Sequence, residues 1–115
     1  DAQESRGLGD VYKRQLQYEH LHQMMELVDL ALTQMNNMLV GHKSENSSIR
    51  SFNIENEINN FRDQLRTQNI NDVNNHVYTY TIGTMYIDII QECEKLGDFV
   101  VNVVEARMGV RQRDI

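Results

Sequence analysis

Leu21, Met25, Val28, Leu32, Met35 and Leu39 fall at alternating spacings of four and three residues. That rhythm follows the 3.6-residue turn of an α-helix and cannot line one face of a strand, whose side chains alternate every two residues. The 115-residue chain contains no proline, so no ring interrupts the helical backbone. The six apolar positions therefore predict the seam of an amphipathic helix packed on neighbours. Gly41 follows the last of them, where a helix-ending glycine belongs. The stretch "HKSENSS" (residues 42–48) has no apolar anchor, which predicts a surface connector.

Two further segments repeat the pattern. Ile54, Ile58, Phe61 and Leu65 are spaced four, three and four. Ser51 or Asn53 suits the N-cap of that helix, and Glu55 and Glu57 would favour its dipole from the first turn. Its end is expected in "TQNINDVNNH", because asparagine side chains compete with the backbone for hydrogen bonds. The third helix is predicted from about Thr79 to Met108, with Ile82, Met85, Ile89, Cys93, Leu96, Val100 and Val103 as its seam. "YTYTIG" at its start has strand-like composition, but the helical period follows directly and makes it the opening of the helix.

Three helices of roughly 25, 18 and 28 residues with short loops imply an all-α fold, an antiparallel three-helix bundle. In the third helix Ile87, Ile90, Val101 and Val104 lie off the seam and widen its apolar belt. Part of that belt is expected to point away from two bundle partners. It marks either an interface with a missing neighbour or scattered surface aliphatics.

The formal charge of −6 argues against nucleic acid and against an anionic membrane surface, since both select clustered Lys and Arg. The single Cys93 can form no internal disulfide, which favours a reducing compartment. No apolar run approaches the roughly 20 residues of a spanning helix. "RGLGDVYKRQ" within the first residues resembles a translated sequencing-linker scar. Residues 1–15 are accordingly expected to be linker-derived, with a native helix start as the alternative, and the chain to be a fragment. The domain is then residues 16–108, followed by a tail, 109–115.

Glu94 and Asp98 stand one helical turn apart, close enough for both carboxylates to share a cation. They share the polar side of helix three with Gln91, Asn102 and Glu105, so any site there is expected in a shallow surface groove. Helix two offers Glu55, Asn59 and Arg62 at the edge of its own seam. Oxygen donors from both helices suit Mg²⁺, Mn²⁺ or iron. The plain alternative is a set of solvated charges. The Glu-x-x-His pattern of buried di-iron bundles is absent.

The stretch "ECEKLGDFVVNVVEA" resembles the signature of PhoU-like phosphate-uptake regulators, and most resembles PhoU-like domains at the C-terminus of bacterial sodium/phosphate cotransporters. "NIENEINNFRDQLR" resembles the other acidic helix of that family. The similarity covers roughly Leu16 to Arg107. It implies one of two three-helix repeats, with surface metal sites on paired acidic motifs. Those fall here on Glu94 with Asp98 and on Glu55 with Asn59, where Asn replaces the expected Asp and lowers the ligand charge. The implied cofactor is a divalent metal or iron. Gly97, between the carboxylates, permits close approach of a helix or ligand.

The expected role is a non-enzymatic, cytosolic regulatory domain of a sodium-dependent phosphate transporter, on the cytoplasmic side of the inner membrane. Its expected partner, met through helix three, is the transporter's membrane domain or a second PhoU-like repeat, with a homodimer as a further option. The alternative is a free-standing regulator acting on a sensor kinase or permease. A metal-dependent enzyme using Glu94 and Asp98 is the third reading, and no base, nucleophile or phosphate loop in the sequence supports it. His20 and His22, two apart, face differently on a helix. His42 and His76 are expected in exposed loops, Cys93 as an inert core thiol, and the six Met residues as gap fillers.

Overall fold

The computed structural model describes residues 2–41 and 47–109, with backbone only for residues 2–8 and 10. It contains α1 (Ala2–Leu39), α2 (Ser47–Asn74) and α3 (Tyr80–Met108), and each helix packs on both others. Consecutive helices run antiparallel, so α1 and α3 point the same way. Ser51 Oγ near the start of α2 donates to Met38 Sδ near the end of α1 (3.9 Å), and Asn69 near the end of α2 donates to the Gly83 carbonyl at the start of α3 (3.3 Å). The all-α three-helix bundle expected from the apolar rhythm is the fold.

The helix ends follow from local chemistry. Gly41 adopts φ 96° and returns its N–H to the Met38 carbonyl (3.2 Å). Thr79 caps α3, its Oγ1 accepting from the Ile82 N–H (3.2 Å), and Gly109 closes that helix at φ 71°. The end of α2 is a Schellman motif. His76 takes φ 59°, its N–H reaches the Val73 carbonyl (3.0 Å), and the Val77 N–H reaches the Asp72 carbonyl (2.9 Å). The connector expected at 42–48 lies outside the described residues up to 46, and Ser47 and Ser48 already belong to α2.

Several expectations are corrected. α1 is longer than expected, running continuously from Ala2. α2 begins before Ser51 and Asn53, so neither caps it, and its first turn holds no acidic residue. Its end, at Asn74, does fall in the asparagine-rich stretch as expected, and the helix runs that far because Asn69 and Asp72 bury their side chains in hydrogen bonds.

The larger correction concerns phase. In α1 the buried positions are Met24, Val28, Ala31 and Met38, while Met25 and Leu39 of the expected seam are exposed. In α3 the buried face carries Gly83, Ile90, Cys93, Gly97, Val100 and Val104, whereas Ile82, Met85, Ile89 and Leu96 are exposed. Ile89 is 44 % exposed and Ile90 only 1 %. The surplus apolar belt of α3 therefore exists, but Ile82, Met85, Ile89 and Leu96, read as seam, compose it, while Cys93 and Val100 of that seam are core. Ile90, Val101 and Val104, read as surplus, are core.

Candidate functional site

Two surfaces flank α3. On the α2 side, Gly97 brings the helices together, since a Cβ there would lie 3.3 Å from Ile58 Cδ1. This contact places Glu94 opposite Arg62. Arg62 Nη1 pairs with Glu94 Oε1, while Nη2 and Nε reach Asp63 Oδ1 at 2.9 and 3.0 Å. Burial works against charge on Arg62, but the hydrogen bond to Asp63 and the charges of Glu94 and Asp63 outweigh it, so the guanidinium holds its proton more tightly than usual.

The metal expectation meets this geometry directly. Glu55, Asn59, Glu94 and Asp98 are all half-buried along the two facing helices. Their oxygens have the right chemistry for a hard cation, but the Glu94 carboxylate is already engaged by a guanidinium, so an added ion must compete with Arg62 for it. Among the described residues no group of three or more His, Cys, Asp and Glu side chains suits a metal ion. Glu105, expected on the polar side, is buried, and its Oε1 has no hydrogen-bond partner among the described residues.

Where α1 and α3 meet near the start of α3, a polar network closes one end of the bundle. Gln17 Nε2 donates to Asp72 Oδ2 (3.1 Å) and to Tyr78 Oη, and Tyr78 Oη donates to Asn69 Oδ1 (2.6 Å). Arg14 Nε and Nη2 both donate to the Val77 carbonyl (3.2 and 2.8 Å). Burial, with Asp72 nearby, pushes the Tyr78 phenol up to about 12. Tyr86 is pushed up further, by burial first and then by Tyr78 and Asp72. Sequence reasoning missed this network, although Gln17, Asn69 and Asp72 extend the four-and-three rhythm of their helices with polar residues.

The second surface lies between α1 and α3. Tyr18 and Ile82 line one cavity of about 280 Å³ together with Leu21 and Tyr86. Both helices run in the same direction at the same rise, so Met25 stands level with Ile89 and Leu32 with Leu96. Tyr18, Met25, Ile82, Met85, Ile89 and Leu96 are exposed along this face, and Leu32 is half-buried. Two heptad-spaced stripes, 18-25-32 and 82-89-96, thus form the banks of an apolar groove.

The remaining candidates are structural. His20 sits edge-on to Phe61, with ring centroids 5.9 Å apart, whereas His22 turns outward to Glu26 (3.2 Å). His76 is exposed in the α2–α3 turn, and His42 lies outside the described residues. Cys93 is buried, and burial, with the charge of Glu92, pushes its thiol up, which suppresses the thiolate. No described helix is long and apolar enough to cross a membrane. Comparison with family models, curated proteins and solved structures gives no match.

Proposed function

We propose that this chain is a helical interaction domain that works by docking, without chemistry of its own. The observation that supports it is the outward turn of α3's aliphatic stripe beside exposed Tyr18 and Met25 of α1. Exposed apolar surface in one contiguous face is a feature of interfaces.

The finer reading is a regulatory domain acting on the cytoplasmic side of a sodium-dependent phosphate transporter, and a free-standing phosphate-uptake regulator is its alternative. This reading rests on the residues "ECEKLGDFVVNVVEA". In it the docked domain biases transport, and substitution of the docking face releases that bias. The test is phosphate uptake in bacterial cells carrying the membrane domain of such a transporter, with and without this chain. The expected result is a change in uptake with the wild-type chain that disappears with the Met85→Asp, Ile89→Asp double variant. Identical uptake in all three cases would overturn the phosphate reading.

A further inference from the structure

We infer that the α1–α3 face receives a second copy of this chain, turned end for end about a two-fold axis so that the two α3 helices lie antiparallel. This inference rests on the docking reading above and names the occupant of its face. The outward residues of α3 are Ile82, Met85, Ile89, Leu96 and Phe99, with Glu92 among them, and they alternate spacings of three and four as a coiled-coil seam does. Reversed about an axis level with the Ile90–Gln91 peptide, the seam matches itself. Ile82 then meets Phe99, Met85 meets Leu96 and Ile89 meets Glu92 of the second copy. Met25 stands level with Ile89, so the same axis sets Leu21 of α1 opposite Leu32 of the second copy. The two faces close a four-helix arrangement, and the unit that meets any larger partner is the pair.

Charge fixes the direction and the register. Asp88 and Lys95 are exposed on the outer flank of α3, Asp88 at the rim of the α2 groove. Each directly precedes a seam residue, the position from which coiled coils form ion pairs between helices. In this register Asp88 meets Lys95 of the second copy, and Lys95 meets its Asp88. A slip of one heptad either way would set Asp88 on Asp88 or Lys95 on Lys95, and a parallel pairing would set Glu92 on Glu92. Glu92 is itself held by Lys95 (3.0 Å), which keeps a lone charge out of the seam. The formal charge of −6 on each copy is screened beyond about 8 Å at physiological salt. The area is sufficient. The five apolar seam residues, with Tyr18 and Met25 of α1, expose on the order of 100 Å² each, which approaches the roughly 800 Å² per partner of a standard interface.

The experiment is sedimentation equilibrium of the full chain across a concentration series. A reversible monomer–dimer transition is expected in roughly the micromolar range. Below that range the chain is a monomer with its own core intact, so the seam contributes to association and not to folding. Ile89→Asp, checked for unchanged helicity, should weaken the dimer at least about tenfold. Asp88→Lys and Lys95→Asp should each weaken it about tenfold, because each sets like charges together twice across the axis. An equimolar mixture of those two variants should dimerise about as tightly as the parent, since every flanking pair is again of opposite sign. A chain monomeric throughout, a dimer indifferent to Ile89→Asp, or a mixture that associates no better than either charge variant alone overturns the inference. Phosphate uptake separates this failure from failure of the docking reading. A monomer whose effect on uptake disappears with Met85→Asp, Ile89→Asp keeps the docking face and gives it a different occupant. A monomer with uptake indifferent to that variant removes both.

Discussion

A Cβ placed on Gly83 would stand 2.5 Å from Cγ2 of Val73, so α3 lies against α2 there only because position 83 has no side chain. Gly97, two heptads further along, is less constrained: its added Cβ would meet the far end of Ile58 at 3.3 Å. Valine is stiff at χ1, whereas the terminal carbon of isoleucine can swing aside. Gly83→Ala should therefore destabilise the bundle by about 1–3 kcal/mol despite the better helix propensity of alanine. Gly97→Ala should fall within about 1 kcal/mol of the parent. Urea titration of both variants checks the contrast, and equal losses would contradict it.

His76 ends α2 at φ 59°, a conformation that costs a residue with a Cβ roughly 1 kcal/mol or more. Its side chain is exposed. His76→Gly should stabilise the chain by about 0.5–1 kcal/mol, measured as a higher denaturation midpoint at unchanged slope. A lower midpoint would show that the imidazole makes a contact that matters more than the backbone.

The Tyr78 phenol gives the bundle an alkaline limit. Its folded pKa of about 12 lies above its ordinary value of 10.0. The folded state therefore binds more protons than the unfolded state between those values, and stability falls as pH rises through that window. That stabilisation is fully present below the ordinary value of 10.0 and is lost as pH rises towards about 12. Tyr78→Phe should remove its own share of this dependence and leave the share of Tyr86, whose phenol is pushed up further. It should also cost about 1–3 kcal/mol at neutral pH, because Asn69 Oδ1 loses its donor. Denaturation midpoints across pH 8–11.5, with and without the substitution, test both statements.

These residues also show what the sequence made legible. The spacing of apolar residues sufficed for helix number and order and, in α3, for the boundaries within a residue. Phase failed because hydrophobicity identifies greasy positions and cannot identify close-packed ones. Gly83, Gly97 and Ala31 occupy core positions by being small, and Ser51, Asn69, Asp72 and Gln17 by being hydrogen-bonded or tightly packed. Val28, Cys93 and Val100 were placed correctly, but at the other core positions of α1 and α3 the pattern slipped by about one residue, about 100° around the helix. At the candidate site, Glu94, Asp98, Glu55 and Asn59 were legible as a polar strip. The pairing of Arg62 with Glu94 depends on the α2–α3 register, which no single helix encodes.

That pairing makes a metal prediction. A cation at Glu94 and Asp98 must displace or accommodate the Arg62 guanidinium. Arg62→Ala should raise the affinity for Mn²⁺ about tenfold, and Glu94→Ala with Asp98→Ala should abolish binding, both read by calorimetry. Equal affinity before and after Arg62→Ala would place any bound ion away from Glu94.

The most direct test of the outward-facing stripe compares Ile89→Asp with Ile90→Asp by equilibrium denaturation of the isolated chain. The account predicts that Ile89→Asp stays within about 1 kcal/mol of the parent. Ile90→Asp, which buries a charge in the core, should lose at least about 3 kcal/mol or fail to fold. A loss at Ile89 as large as that at Ile90 would return the stripe to the interior and leave no face for a partner.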